Sequence, residues 1–111
     1  MGLFDKAKAA VKIREADVLR SCLEYLRLRG HFVWRENTGQ ATAGGRRIRF
    51  GILGCADIIG IAKNGKFIAV ECKSSTGRQS EEQKKFEHDC VSNGGLYVLA
   101  RSVDDLKEAG L

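Results

Sequence analysis

Proline is absent from this chain, and no internal repeat, low-complexity tract or linker interrupts it. No apolar run approaches the roughly 20 residues needed to cross a bilayer. Met1 to Lys12 lack the apolar stretch of a secretory signal. A Met1-Gly2 start would suit myristoylation, but Lys6 stands where that signal wants Ser or Thr. A cytoplasmic protein without membrane attachment is therefore expected. Cys22, Cys55, Cys72 and Cys90 form no C-x-x-C pair, which argues against a zinc site, and without a secretion signal disulfides are not expected. They are expected to be four reduced thiols serving as small hydrophobes. His31 and His88 are isolated, and there is no Ser-His-Asp pattern, P-loop or dinucleotide fingerprint. No small-molecule cofactor is expected.

What remains is an ordinary globular composition. The 111 residues suit one compact domain, and 43% apolar with 30% charged residues excludes a disordered chain. The net charge of +5 favours a polyanionic partner, because cations placed beside phosphates release counterions on binding. The location of individual charges says more.

Periodicity predicts an amphipathic helix from about Val11 to Arg29, closed by Gly30. A strand follows around His31–Glu36, then a glycine-rich basic stretch from Asn37 to Gly54, read as a loop or short ribbon. Arg46, Arg47 and Arg49 lie in that stretch and make a cationic arm suited to a phosphate backbone. Two apolar runs, Ala56–Ala62 and Lys66–Cys72, flank Lys63-Asn64-Gly65, a hairpin signal. Ser80 with Gln83 has the pattern of a capping box for a second helix ending near Gly94-Gly95. Leu96–Ala100 reads as a buried strand, and Ser102 and Asp105 cap a last helix, Val103 to Ala109. The order α-β-β-β-α-β-α predicts a layered α/β domain.

Charges that break the pattern mark a candidate site. On the first helix Val11, Val18, Leu19, Cys22 and Leu26 form one apolar stripe, with Glu15 near its middle. An inward carboxylate needs a cation, a metal or strong donors. The alternative is a first-turn acid that favours the helix dipole and bends out to water. In the hairpin, a three-residue loop with Gly65 left-handed pairs Ala62 with Lys66, Ile59 with Ala69, and Asp57 with Glu71. Asp57, Glu71 and Lys73 then share one end of one face, while Ile58, Ile68, Val70 and Cys72 occupy the other. A two-residue Asn-Gly loop would instead pair Asp57 with Cys72 and divide the acids between faces.

Two carboxylates about 4 Å apart repel by roughly 4 kcal/mol at an effective dielectric near 20, and a divalent cation reverses that sign. All-oxygen donors favour magnesium or manganese over zinc. Lys73 is suited to hold an attacking water and to stabilise phosphate charge. Gln83 is placed either to complete the capping box or to face the sheet beside Glu71.

An acid on the first helix, Gly54-x-x-Asp57, Glu71-x-Lys73 and Gln83 on the next helix together resemble the PD-(D/E)XK nuclease superfamily. Within it the chain is most similar to the virus-type replication-repair nuclease domain, VRR-NUC, from about Glu15 to Leu99. The resemblance implies a restriction-endonuclease-like core, a mixed central sheet flanked by helices on both faces. It implies a magnesium or manganese site of Glu15, Asp57 and Glu71, with the backbone carbonyl of Cys72 as a further donor. Lys73 would be the catalytic lysine and Gln83 an accessory polar residue. The family often has proline before the motif aspartate, where this chain has Ala56. Small stand-alone members resemble phage-encoded homodimers, active in the host cytoplasm, that cut branched DNA including four-way junctions. A Holliday-junction-resolving endonuclease is the leading expectation. A nuclease of the same fold with flap, nick or sequence preference, and a non-catalytic DNA-binding module, are the alternatives.

Overall fold

The computed structural model describes residues 13–36 and 39–111, the side chains of residues 39–43 and 47–50 excepted. Helix α1 spans Glu15–Leu28, β1 Phe32–Arg35, β2 Gly39–Ala43, β3 Arg46–Phe50, β4 Ile58–Ile61 and β5 Phe67–Cys72. Helix α2 spans Glu81–Ser92, β6 Leu96–Ala100 and α3 Val103–Glu108. Val11 and Lys12, expected in the first helix, and Asn37, expected to open the basic stretch, lie outside the described residues. Among those residues no helix is long and apolar enough to cross a membrane.

The main sheet has the order β1-β4-β5-β6, with β1, β4 and β5 antiparallel and β6 parallel to β5. It is therefore an α/β arrangement on a mixed four-stranded sheet. One face packs Ile58, Ile68, Val70 and Cys72 against Val18, Cys22 and Leu26 of α1 and Leu106 of α3. The other packs Ala69 and Tyr97, with Ile59 and Leu99, beneath Phe86 and Cys90 of α2. The three buried residues of α1 recur every fourth position, one row on a 3.6-residue helix. The four cysteines are free thiols, and Cys22 and Cys72 are buried in the α1 layer.

The hairpin between β4 and β5 takes the three-residue loop. Ala62 N–H donates to the Lys66 carbonyl at 2.8 Å, Gly65 N–H donates to the Ala62 carbonyl at 2.8 Å, and Gly65 has φ +88°. Ile59 pairs with Ala69 and Ile58 with Val70, so the two-residue register is excluded. The basic stretch is a ribbon rather than a loop. β2 and β3 pair from Gly39↔Phe50 to Ala43↔Arg46, adding two strands to the expected order. Arg46 is exposed on it, Arg47 and Arg49 follow in β3, and the side chains of the last two lie outside the described set.

At the final helix Asp105 accepts from Arg101 N–H at 2.8 Å, but Ser102 makes no side-chain cap. The expected pair is thus half present. Ser102 is extended, with φ −161° and ψ 170°.

Gly54 ties the segment before Asp57 to α2. Its φ is +80°, and a Cβ there would run into the backbone of Glu82 and Gln83. Gly65 has a similar φ of +88° but opens on empty space. Gly65→Ala should therefore cost about 1–2 kcal/mol, the left-handed penalty alone. Gly54→Ala should cost clearly more, about 3 kcal/mol, because overpacking adds to strain. Urea unfolding of the two variants checks this, and equal losses would show that the approach to α2 is unimportant.

Candidate metal and phosphate site

The site lies where β5 leaves the sheet. Strand alternation puts Glu71 on the face opposite Val70 and Cys72, and the register carried one step past Ile58↔Val70 sets Asp57 across from it. Asp57 is held on both sides. Its carbonyl accepts from Glu36 N–H at 2.8 Å, and its Oδ2 accepts from Cys72 N–H at 2.8 Å. Ala56, where the resembling family often has proline, is 1% exposed and packed with Ala69 and Tyr97, so burial fixes this segment without a proline ring.

Glu71 is the one buried charged residue among those described, at 2% exposure. Its Oε1 accepts from Gln83 Nε2 at 3.1 Å, while its Oε2 is buried and has no hydrogen-bond partner among the described residues. Burial first, and then the Asp57 carboxylate, push the Glu71 carboxyl up to about 8 from an ordinary value near 4.5; Lys73 pulls the other way. Lys73 Nζ lies 3.9 Å from Glu71 Oε1 and 3.8 Å from Glu15 Oε1. Its side chain is only 12% exposed. Its N–H donates to the Ala100 carbonyl at 3.0 Å, which fastens the end of β5 to β6.

Gln83 performs both of its expected tasks. Ser80 N–H donates to its Oε1 at 2.8 Å and its own N–H donates to Ser80 Oγ at 3.2 Å, completing the capping box. The remaining amide nitrogen reaches Glu71. One side chain thereby starts α2 and orients the buried carboxylate.

Glu15 differs from the inward expectation. Its side chain is 54% exposed, and it meets the site only through Lys73. It is the first residue of α1, in the turn where an acidic side chain complements the helix dipole. Among the described residues no three Asp, Glu, His or Cys side chains converge as a metal-binding group. The structure thus brings Asp57, Glu71, Lys73 and Gln83 together, with Glu15 at their edge. The donors nonetheless suit a hard divalent cation. They are oxygens, two are carboxylates facing each other, and one buried oxygen has no donor among the described residues. Cys55 is half-buried, and burial, then Glu36 and Glu71, raise its thiol to about 11, so it offers no thiolate here at neutral pH.

Sequence patterns did not mark Arg101, Gln79 or Tyr97. Gln79 Nε2 donates to Tyr97 Oη and Glu87 Oε1, both at 3.1 Å, bracing the segment before α2. Arg101 donates to the carbonyls of Ser74 and Gly77 in the turn after Lys73. Such contacts join residues far apart in sequence, and no spacing rule announces them. No family model matches this chain, and no curated protein matches it.

The raised Glu71 carboxyl has a stability consequence with a definite sign. In the metal-free protein the folded chain keeps a proton that the unfolded chain releases above about pH 4.5. Its stabilising contribution is full below that pH and is lost as pH rises through about 8. In EDTA, wild-type stability relative to Glu71→Gln should fall by a few kcal/mol between about pH 5 and pH 8.5. Urea titrations at stepped pH measure the difference, and a flat one would mean the carboxyl is not held protonated.

Proposed function

We propose that this chain is a divalent-metal-dependent deoxyribonuclease of the PD-(D/E)XK type, related to VRR-NUC domains, that cuts branched DNA as a homodimer. The observation that carries the reading is the buried Glu71, whose Oε2 has no partner among the described residues, set opposite Asp57 and beside Lys73. In the metal-free protein a proton between Glu71 and Asp57 would occupy that place, and a divalent cation would take it over. A purely DNA-binding surface gains nothing from facing acids that repel phosphate. Both features suit a site made for magnesium or manganese.

Each residue then has a task. Asp57 and Glu71 hold the cation, the Cys72 carbonyl is a further donor, and Glu15 joins from the edge when Lys73 yields it. The bound cation would polarise the phosphate and lower the pKa of the attacking water. Lys73 holds that water by donating to its oxygen and stabilises charge on the phosphate oxygens. Gln83 keeps Glu71 from turning away. Arg46, Arg47 and Arg49 on the β2–β3 ribbon grip the backbone without reading sequence.

A homodimer is supported by an apolar face. On the α2 side of the sheet, Phe32, Ile61 and Phe67 form one cross-strand row, and Trp34 pairs with Ile59 beside it. Phe32 is 69% and Phe67 41% exposed, with Ile52 and Leu53 also exposed. Ile52 and Phe67 line a groove of about 340 Å³ with Phe86 and Cys90. No described element covers this row. Monomers rarely leave apolar surface beyond a few hundred Å² bare, and a second copy burying about 800 Å² per partner is a standard interface. Two-fold pairing would also set two cutting sites against two strands.

Two measurements follow. Labelled four-way junction, flap and linear duplexes are incubated with magnesium, manganese or EDTA, alongside Asp57→Ala and Lys73→Ala. Paired symmetric cuts in the junction are expected, lost in EDTA and reduced at least about 100-fold in both variants. Metal-dependent cutting of other forms would keep the site and discard junction resolution, whereas binding without cutting under any metal would leave a DNA-binding module. For the dimer, light scattering should give twice the chain mass, and Phe32→Ser should give the monomer. Trp34 is the single tryptophan, so its emission should shift to the red on dilution of the wild type. A monomeric wild type with unchanging emission would remove the dimer.

A further inference from the structure

We infer that Arg101 is a positioning residue for Lys73: it clamps the turn that packs along the lysine stem and so fixes where the ammonium stands. Its link to catalysis rests on the nuclease reading; the clamp itself does not. Arg101 follows β6 directly, and its own N–H is held by Asp105 Oδ2 at 2.8 Å. From there Nη1 donates to two carbonyls, those of Ser74 and Gly77, the latter at 2.8 Å. The turn is also closed on itself, since Gly77 N–H donates to the Ser74 carbonyl and to Ser74 Oγ, each at 3.2 Å.

The inner side of this turn is the lysine. A Cβ placed on Gly77 would stand 3.3 Å from Lys73 Cδ and 3.5 Å from Lys73 Cβ, so the Gly77 backbone lies against the aliphatic stem. Lys73 is thus gripped twice from the β6 side. Its backbone bonds to Ala100, and its side chain is confined by a turn that the next residue, Arg101, ties down. An ammonium on a flexible four-carbon stem has considerable rotamer freedom to lose, and a stem held in place loses it before substrate arrives. Displacing such a group by about 1 Å can lower a rate about 100-fold.

A surface arginine near a nucleolytic site could also contact phosphate directly, so the test separates the two roles. Arg101→Ala and Arg101→Lys are compared with wild type in three measurements. In the first, lysines are labelled with acetic anhydride in the absence of metal and DNA, and the rate at each position is read by mass spectrometry. Lys73 should label several-fold faster in both variants, with the exposed Lys63, Lys66 and Lys84 unchanged, because a shorter lysine head does not span both carbonyls. In the second, kcat on cleaved DNA should fall about 10- to 100-fold with KM within about twofold. In the third, the salt dependence of DNA binding in EDTA should keep its slope.

An unchanged Lys73 labelling rate overturns the clamp. A salt slope reduced by about one in Arg101→Ala and restored in Arg101→Lys, with kcat restored too, would make Arg101 a phosphate contact and overturn positioning. If wild type cuts no DNA, the nuclease reading fails by itself, and the labelling rates still decide whether Arg101 confines Lys73.

Discussion

A carboxylate buried on a central strand opposite a second carboxylate is the constraint on which the rest of this structure turns. Desolvation disfavours the charged form of Glu71, and Asp57 adds repulsion. A fold chosen for stability alone would put an apolar residue there, continuing Ala69 along the same face. Three groups contain the cost. Gln83 donates to one oxygen, Lys73 supplies a cation at the rim, and the Cys72 N–H takes up the Asp57 oxygen. The fourth place, at Glu71 Oε2, has no donor among the described residues. Destabilised groups of this kind collect at functional sites.

Period two in β4 and β5 divides stability from chemistry. Ile58, Ile68, Val70 and Cys72 seal the α1 layer, while Asp57, Ile59, Ala69 and Glu71 face the α2 side. Slipping the register by one residue would turn the acids into the α1 core and expose the aliphatic row, so the hairpin loop fixes the site as well as the pairing. Lys63-Asn64-Gly65 therefore matters to a site at the far end of the strands. Gly65 sets the register there, and Gly54 lets α2 approach close enough for Gln83 to reach Glu71.

Much of this was legible in the sequence because it rests on local rules. The choice of hairpin register followed from the expectation that Asp57, Glu71 and Lys73 gather at one end of one face, since either candidate loop would use Gly65 at positive φ. Ser80 and Gln83 announced a helix start, and the apolar stripe of α1 gave its buried row. Glu15 was misplaced for a definite reason. A helical projection gives the direction of a side chain around the axis but not whether anything covers it, and Glu15, the first residue of α1, is left half exposed beside Lys73. The glycine-rich stretch left loop and ribbon both open because Gly44 and Gly45 also read as breakers, whereas two successive positive φ values make the tight turn that joins β2 to β3. Arg101 was silent because its partners are carbonyls more than twenty positions away.

The charge distribution gives the proposed chemistry an order of events. The chain carries +5 overall, which draws it toward a polyanion. The end of the sheet is different. Glu15, Asp57 and Glu71 gather there, Glu36 adjoins through its bond to Asp57, and Glu81 and Glu82 occupy the first turn of α2. Those two acids offset the positive end of the helix dipole that would otherwise welcome a phosphate. Even with Glu71 protonated in the metal-free protein, Lys73 offsets only one of these acids. Under the proposed function, long-range attraction would bring DNA to the surface, but a phosphate entering the acid cluster would need a divalent cation there first. Metal would then act as more than a source of reactive water: it would be the condition for the scissile phosphate to be held at all, while basic surface elsewhere could keep DNA bound in its absence.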